Sequence, residues 1–325
     1  MTTTARNPFR ENGLSQVELR HHMAGIAQLI ELCFGHKLDS TAQRAMREMH
    51  MLSRIGPLLW LLGSISDSGS NWQHGFVFLH DGRVVGSVGA QPSDSGPNTY
   101  LIANLAVHPD FRRQGIARQL MLAALSKAAR HGARCVVLQV NEDNGEAIPL
   151  YEELGFDALT TRTTWERTKY SIPDRVKTGY NIHVRPANRM DWLEELALLE
   201  EFRSAGLFWT DPFRVDRIKP SLWRNISNIL NARSEERWIA FDSGKVIGWF
   251  QIMCRVDLSH QIRLVVRPEH RRELEQLLLV KALRRLSQRQ RHVRIEHPKG
   301  EAETLLTQYE FRPIGTLLWM HKSVA

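Results

Sequence analysis

Long apolar runs are missing from this sequence, although 42% of its 325 residues are hydrophobic. No run approaches the roughly 18 consecutive apolar residues that a membrane-spanning helix needs. The N-terminus also has no apolar core of the signal-peptide kind. We therefore expect no membrane contact, and nothing in the sequence argues for export.

Cysteine is scarce: the chain has only Cys33, Cys135 and Cys254, far apart and in apolar surroundings. Their odd number and scattered spacing argue against structural disulfides and against a metal site. A lone catalytic cysteine is the alternative, but packing in the core explains each of them better. We expect a protein without metal in the reducing cytoplasm.

An acidic excess is absent too, since the formal net charge is +8. Residues 179–325 carry 24 Lys+Arg and 18 Asp+Glu, against 19 and 17 in residues 1–178. The densest basic run, residues 281–294, has Leu283 and Leu286 at helical spacing, which indicates the solvated face of an amphipathic helix. Zinc-finger spacing and interleaved aromatic residues are lacking, so nucleic acid is a minority interpretation.

The middle third of the chain alternates strands, loops and helices. An apolar strand over residues 99–107 ends at His108-Pro109, and a short basic loop leads into a helix that runs to about Arg130. A second apolar strand follows over residues 135–140, then a turn and a helix that carries Tyr151 and ends at Gly155. In the basic loop, Gly115 and Ala117 keep side chains away from the backbone, so main-chain N–H groups can face an anion at the helix N-terminus. A diphosphate is the natural guest.

This segment strongly resembles the GNAT superfamily of N-acetyltransferases. Residues 112–117 fit that family's pattern Arg/Gln-x-x-Gly-x-Gly/Ala, and residues 144–156 look like its Asn-x-x-Ala-x-x-Leu-Tyr-x-x-x-Gly-Phe signature. The resemblance implies that acetyl-CoA is the co-substrate, that Asn144 contacts its pantetheine arm and that Tyr151 protonates the departing thiolate. The implied acetyl-CoA-binding residues are Leu105, Ala106, Val107, Arg112, Arg113, Gln114, Gly115, Ile116, Ala117 and Asn144.

The general base is not assigned. Family members often carry a carboxylate on the central strand, but residues 100–107 contain no acid, only Asn104. Glu18, His80 and His108 are candidates by chain position alone, and each has a simpler interpretation as a surface or packing residue. Water relayed to bulk solvent is equally possible.

The second half of the chain repeats the first. Residues 145–156 align without gaps on residues 300–311 at an offset of 155 (300 − 145), and residues 107–109 align on residues 266–268 at an offset of 159 (266 − 107). This alignment makes the intervening helix four residues shorter in the second copy and puts Leu274 in place of Gly115. Glu273 and Glu275 would repel a diphosphate, and Leu306 and Lys299 replace Tyr151 and Asn144.

We predict an α+β fold with a mixed, largely antiparallel central sheet flanked by helices, present as two tandem acyl-CoA N-acyltransferase (GNAT) folds. The catalytic domain should span residues 1–178 and the degenerate, non-catalytic domain residues 179–325. Further predictions are a first strand at 17–20, helices at 23–34, 40–62 and 190–204, hairpins turning at Asp81-Gly82 and at residues 242–244, and a linker at 172–179.

The predicted activity is direct transfer of an acetyl group from acetyl-CoA to a primary amine of a small molecule or peptide. Two alternatives stay open: a non-catalytic acyl-CoA-binding regulatory module, and acetylation of a protein or nucleic-acid-associated substrate through the basic second lobe. The acceptor is not readable from the sequence, since an antibiotic, amino acid, polyamine, thiol-sugar conjugate or protein N-terminus all fit. A monomer or homodimer is expected.

Overall fold

The computed structural model describes residues 12–34, 75–93, 98–176, 182–203, 233–255, 259–289 and 291–324. The chain folds into two compact units. Unit 1 comprises Met1–Gln139, Glu146–Asp157 and Met320–Ala325, and unit 2 comprises Val140–Gly145 and Ala158–Trp319. The predicted second helical region, residues 40–62, lies outside the described residues.

Unit 1 is built on strands that follow one another in space as they do in sequence, in the order β1-β2-β3-β4-β5. Successive strands from β1 to β4 pair antiparallel, and β5 joins β4 in parallel, so the sheet is mixed. The strands are β1 (Gly13–Gln16), β2 (Gly75–His80), β3 (Arg83–Pro92), β4 (Thr99–Val107) and β5 (Cys135–Asn141), and the helices are α1 (Leu19–Phe34), α2 (Ile116–Arg130) and α3 (Ala147–Glu153).

The two faces of this sheet are covered by different helices. Ile26, Ala27 and Ile30 of α1 pack on Val77 and Leu79 of β2. On the other face, Ile116 and Leu120 of α2 lie against Gly86 of β3. The predicted first strand at residues 17–20 is wrong, because the strand lies at residues 13–16 and α1 already begins at Leu19.

The end of the chain completes unit 1. Met320 is fully buried, and the N–H of Val324 donates to the carbonyl of Arg134 at 2.9 Å, just before β5. These residues continue β12 (Arg312–Ser323), whose earlier residues, through Trp319, belong to unit 2. Residues 320–324 thus belong to unit 1.

Unit 2 repeats the architecture, with the order β12-β6-β11-β10-β9-β8-β7. Its core has two parts. One lies under the helix of residues 271–286 and includes Phe250, Leu278 and Phe311, and the other lies under the helix of residues 192–203 and includes Leu198 and Trp249. The strands besides β12 are β6 (Asp157–Arg167), β7 (His183–Pro186), β8 (Arg233–Asp242), β9 (Lys245–Arg255), β10 (His260–Val266) and β11 (Val293–Pro298), and the helices are α4 (Trp192–Arg203), α5 (Arg271–Leu286) and α6 (Glu303–Gln308).

The compact units do not follow the predicted domain boundary strictly. Strand β6 precedes the predicted boundary at residue 178, yet it lies in unit 2 because it pairs antiparallel with β11 from Arg167↔Val293 to Arg162↔Pro298. The boundary between residues 178 and 179 stays a prediction about the sequence repeat. The mixed, largely antiparallel sheets flanked by helices are confirmed in both units.

Candidate active site

Strand β4 carries a β-bulge near its end. Its register with β3 runs through Gly89↔Ala103 and resumes at Ser87↔Ala106, so β4 holds one residue more than β3 in this interval. Asn104 lies in the interval with a φ of 55°, in the left-handed region that asparagine tolerates better than most residues. A bulge of this kind bends its strand and interrupts the ladder.

The bulged part of β4 leaves its parallel neighbour. Strands β4 and β5 pair from Thr99↔Cys135 to Leu101↔Val137, and within the described residues the rest of β4 pairs with β3 alone. Successive N–H groups of a strand point to opposite sides. Some N–H groups of Leu105, Ala106 and Val107 therefore face away from β3 into the space beside β4. The contact of these three residues with acetyl-CoA stays a prediction.

The loop between β4 and α2 has backbone geometry typical of an anion-binding nest. Arg113 and Gly115 both have positive φ, 62° and 76°, and such alternation builds concave nests of N–H groups. Gly115 precedes the 15-residue helix α2 directly, and the N–H groups of the first turn, from Ile116 onward, have no acceptor within the helix. A Cβ added to Gly115 would meet no atom within 4 Å, so the space in front of the loop is open. This geometry fits a diphosphate.

Side-chain contacts fix the loop from both ends. The Nε of Arg112 donates to the carbonyl of Val107 at 3.4 Å, which ties the loop to the end of β4. Ile116 is 4% exposed and packs on Gly86. Arg118 in the first turn of α2 pairs with Glu153 of α3, the helix that carries Tyr151. Arg113 and Gln114 are exposed at the rim.

Tyr151 is held in the C-terminal turn of α3. Its carbonyl accepts from the N–H of Phe156 at 3.0 Å, Glu152 accepts from Gly155 at 2.8 Å, and Gly155 has a φ of 80°, which together make a Schellman motif. The Phe156 ring completes the motif edge-on to the Tyr151 ring, with centroids 6.1 Å apart. Tyr151 is 7% exposed, and this burial raises its pKa to about 12.

Asn144 belongs to the short segment of unit 2 that follows β5. Its N–H donates to the carbonyl of Asn141 at 3.0 Å in the turn after β5, and the N–H of Glu142 in the same turn donates to Thr316 at 3.1 Å. Its predicted contact with the pantetheine arm remains a prediction.

The candidate bases have structural partners. His108 accepts from the N–H of Asp110 at 3.3 Å through Nδ1, and its ring lies edge-on to Phe111. His80 contacts the same phenyl ring with centroids 4.9 Å apart. The N–H of Glu18 donates to His22 in the first turn of α1. No base is assigned to any of them.

Two residues near the bulge had no role in the sequence-based site. Asn104 is exposed at the bulge itself, and only its position in an otherwise apolar strand could have drawn attention to it. The thiol of Cys33, at the end of α1, donates to the carbonyl of Val107 at 3.5 Å. Burial raises the pKa of this thiol, while Arg112 beside it lowers it. Apolar neighbours in sequence had indicated packing alone.

Unit 2 corrects the alignment of the two copies. A Cβ at Gly248 of β9 would lie 2.9 Å from Leu274 and 3.1 Å from Leu278, just as one at Gly86 would lie 2.9 Å from Ile116 and 3.0 Å from Leu120. Leu274 therefore corresponds to Ile116, and its alignment with Gly115 was wrong. Helix α5 has 16 residues against 15 in α2, so the predicted shortening lies outside the helix.

The described part of unit 2 lacks both structural features of the candidate site. The register of β10 with β9 is continuous from Gln261↔Met253 to Val266↔Gly248, without a bulge. No residue of the described stretch 259–289 has positive φ, and the helix starts at Arg271 without a nest. Glu275, in the second turn of α5, is buried beside His297, with Oε1 and Nε2 3.8 Å apart. Leu306, at the position of Tyr151, is 1% exposed.

The basic run of unit 2 is largely occupied by its own partners. Lys281 donates to the carbonyl of Val184 at 3.0 Å, and Arg284 donates to that of Pro173 at 2.7 Å. Arg285 and Arg289 share the carboxylate of Glu236. These basic side chains of the described residues thus have partners within the protein, and the minority place given to nucleic acid stays a prediction. No helix in the described part of the chain is long and apolar enough to cross a membrane.

Residues 37–156 match the family model described as "Acetyltransferase (GNAT) family". Residues 37–156 of the chain therefore carry a GNAT-family domain. Over 73 residues, the chain is 38% identical to the [ribosomal protein bS18]-alanine N-acetyltransferase of Escherichia coli. The aligned stretch covers 22% of this chain and 49% of that protein. The chain is also 35% identical over 100 residues to the mycothiol acetyltransferase of Geodermatophilus obscurus, covering 29% of this chain and 32% of that one. The chain thus spans at most about half the length of these two relatives.

Solved structures extend the fold over nearly the whole chain. The GCN5-related N-acetyltransferase from Sphaerobacter thermophilus superimposes with a TM-score of 0.64 at 16% identity, covering 98% of this chain and 97% of that one. A tandem GNAT protein from the clavulanic acid biosynthesis pathway superimposes with a TM-score of 0.57 at 16% identity, covering 96% of this chain and 98% of that one. At such identities the likeness concerns the fold alone, and it confirms the predicted tandem of two GNAT folds.

Proposed function

We propose that this protein is an acetyl-CoA-dependent N-acetyltransferase that transfers an acetyl group directly to a primary amine of a small molecule or peptide. The observation that carries the proposal is the continuity of the bulge and the nest within unit 1. Strand β4 ends at Val107, three positions after Asn104, and the nest at Arg113 and Gly115 follows in the next loop. One short stretch thus offers backbone donors for an acyl group and for a diphosphate.

The chain's own residues then have distinct roles. The nest residues and the N-terminus of α2 hold the diphosphate of acetyl-CoA, which supplies a thioester. N–H groups of Leu105 to Val107 stabilise the negative charge that develops on the thioester oxygen, commonly the largest catalytic contribution in acyl transfer. A bond forms between the amine nitrogen and the acetyl carbon, and the carbon–sulfur bond breaks. Tyr151 gives its phenolic proton to the sulfur, and the surplus ammonium proton passes to water, from which Tyr151 is reprotonated.

The pKa of Tyr151 suits an acid that must stay protonated. At about 12, the phenol keeps its proton throughout the neutral range. A free thiol has a pKa near ~8.5, so proton transfer to a solvated thiolate would be uphill. A thiolate formed beside the buried phenol experiences the same desolvation, which raises its pKa as well and narrows the difference. Proton transfer therefore depends on the two groups being close together in a dry pocket.

The relatives narrow the acceptor classes worth testing first. The name of one relative specifies an alanine of a ribosomal protein, and that of the other specifies mycothiol. A peptide that begins with alanine and an amine of a thiol–sugar conjugate are therefore the first acceptors to test. We further propose a cytoplasmic location, acetyl-CoA without a metal, and a monomer or homodimer.

A turnover screen tests the proposal. Purified protein is incubated with acetyl-CoA and a panel of amines: an alanine-initiated peptide, an amine-bearing thiol–sugar conjugate with its thiol blocked, amino acids, a polyamine and amino sugars. Released thiol is measured against a control without amine, and the masses of the products are determined by mass spectrometry. We expect thiol release that depends on at least one amine, with one acetyl group added to that amine. Tight acetyl-CoA binding without amine-dependent release across the panel would instead indicate the regulatory binding module.

A further inference from the structure

Helix α3 needs support from outside itself. It has only 7 residues, well below the length at which an isolated helix is stable in water. Its C-terminal carbonyl groups carry a partial negative charge, which a nearby cation stabilises. The Schellman motif satisfies the carbonyls of Tyr151 and Glu152, and Gly155 closes it. The position of the Tyr151 ring therefore depends on how this turn is held.

A cation from the end of the chain lies at this turn. A Cβ atom added to Gly155 would be 2.6 Å from the Nζ of Lys322, so the ammonium group rests against the glycine where a side chain would otherwise be. Lys322 is half-buried, Met320 two residues before it is fully buried, and Val324 two residues after it is bonded to Arg134. Both neighbours therefore anchor the backbone that presents the ammonium group.

The C-terminal turn of α6 in unit 2 also has a basic side chain against it, here a guanidinium group that is hydrogen-bonded to the turn. Phe311 donates to the carbonyl of Leu306 at 3.0 Å and Glu310 to that of Thr307 at 3.0 Å, which repeats the Schellman motif with Glu310 at a φ of 66°. Arg167 of β6 caps this turn: its Nε donates to the carbonyl of Tyr309 at 2.9 Å, and its Nη2 lies 3.4 Å from Glu310.

The two cations are equivalent by position. Lys322 and Arg167 differ by 155 (322 − 167), the offset that also relates Leu306 to Tyr151 (306 − 151) and Phe311 to Phe156 (311 − 156). Each unit therefore has a basic residue on the C-terminal turn of its short helix, and that residue comes from the other sequence copy: Lys322 lies in unit 1 and Arg167 in unit 2. In unit 2 that turn holds a leucine, so there the cation serves the fold alone. In unit 1 the same turn holds the tyrosine.

We propose that Lys322 is a positioning residue for Tyr151, and that residues 320–324 thereby set the geometry of the acid. The proposal rests on the proposed function, in which Tyr151 protonates the thiolate. It also gives the C-terminal residues a task in catalysis that does not require any cofactor contact. Gly155 is then required both for its left-handed φ and for the room that the ammonium group occupies.

The test combines three variants of the full chain with a measurement that does not need turnover. Lys322→Met removes the charge, Lys322→Arg keeps it, and Ser323→Ala is the matched neutral change at the exposed neighbour. The chain has 5 tyrosines, and ζ-carbon labelling gives each a separate NMR signal, with that of Tyr151 identified from Tyr151→Phe. We expect Lys322→Met to shift the Tyr151 signal at neutral pH, and Lys322→Arg and Ser323→Ala to leave it in place.

Kinetics shows whether this placement matters for catalysis. We expect Lys322→Met to lower kcat by roughly two- to fivefold, the range of a single charge at a helix end, with the KM for acetyl-CoA unchanged. In a Tyr151→Phe background the same substitution should change kcat no further, because the group it positions is gone. An unchanged Tyr151 signal, or equal losses of kcat in both backgrounds, would overturn the proposal. A shifted signal with wild-type turnover in Tyr151→Phe would instead overturn the acid role in the proposed function.

Discussion

Gly86 of β3 and Ile116 of α2 are in such close contact that a Cβ atom at Gly86 would lie 2.9 Å from Cγ2 of Ile116. Ile116 follows Gly115 directly, so this contact determines where the N–H groups of the loop point. Gly248 and Leu274 repeat the contact at 2.9 Å in unit 2, where the helix begins without a nest. The contact between Gly248 and Leu274 is therefore a control, within the same chain, for the contact between Gly86 and Ile116.

Gly86→Ala should weaken acetyl-CoA binding, because the added methyl group pushes Ile116 and the loop outward. We expect about a tenfold rise in the dissociation constant, or about 1.4 kcal/mol, by calorimetry. Gly248→Ala introduces the same kind of crowding against Leu274. Each of the two variants should lower the free energy of unfolding by ~1–3 kcal/mol. The acetyl-CoA affinity of Gly248→Ala should stay at the wild-type value. Equal losses of affinity in the two variants would show that general destabilisation, and not the loop, is responsible.

Tyr151→Phe should separate catalysis from binding. The substitution removes one hydroxyl and little volume, so acetyl-CoA affinity should persist while turnover falls by roughly 10²-fold or more, as for other general acids. Tyr100→Phe is the matched control, because Tyr100 is also buried in unit 1, at 6% exposure, on the strand that bears the bulge. It should keep wild-type turnover. If both variants turn over normally, Tyr151 is a packing residue.

Glu195 should make the stability of unit 2 depend on pH. It is fully buried beside Arg237, and burial raises its pKa from 4.5 to about 7 despite the attraction of the guanidinium group. Between pH 4.5 and about 7, Glu195 therefore keeps its proton in the folded state but has lost it in the unfolded state. The stability that this proton confers is complete below pH 4.5 and is lost as the pH rises through 7.

Urea unfolding at a series of pH values, followed by tryptophan fluorescence, measures this dependence. From pH 5 to 7 the free energy of unfolding should decrease with a slope of up to about 1.4 kcal/mol per pH unit from this group. Glu195→Gln keeps an acceptor for Arg237 but cannot titrate, so its slope should be smaller. Glu194→Gln changes the exposed neighbouring acid and should keep the wild-type slope. Parallel curves for all three proteins would rule out the titration of Glu195.

Local features were predictable where the residues themselves impose the conformation. Both hairpins turn through two residues of positive φ, Asp81 with Gly82 and Ser243 with Gly244, which is the type I′ turn that such pairs favour. The strands and helices between residues 99 and 156 also follow from apolar periodicity and from breakers. The nest loop belongs to this group, since Gly115 adopts the left-handed conformation that the motif requires.

Features set by distant partners were not predictable. Asn104 adopts positive φ because β3 and β4 differ by one residue across the bulge, which the sequence of β4 alone does not encode. The correspondence of Leu274 with Ile116 depends on packing against glycines in other strands. The membership of β6 in unit 2 and of residues 320–325 in unit 1 is decided by strand pairing across more than a hundred residues. Lys322 could not be connected with Tyr151 for the same reason.

The last prediction concerns the number of acetyl-CoA molecules that one chain binds. Unit 1 has the bulge and the nest, whereas the described part of unit 2 has a continuous β10 register and a helix that starts without positive φ. Saturating calorimetric titration should therefore give one molecule per chain.

Gly115→Glu puts a like charge where the diphosphate sits and should lower the affinity at least about tenfold, or 1.4 kcal/mol. Gly132→Glu is the matched control, because Gly132 ends the same helix with a φ of 73° and equally open space. It should bear the same strain and keep the wild-type affinity. Two molecules per chain, or an intact site in Gly115→Glu, would show that unit 2 binds acetyl-CoA.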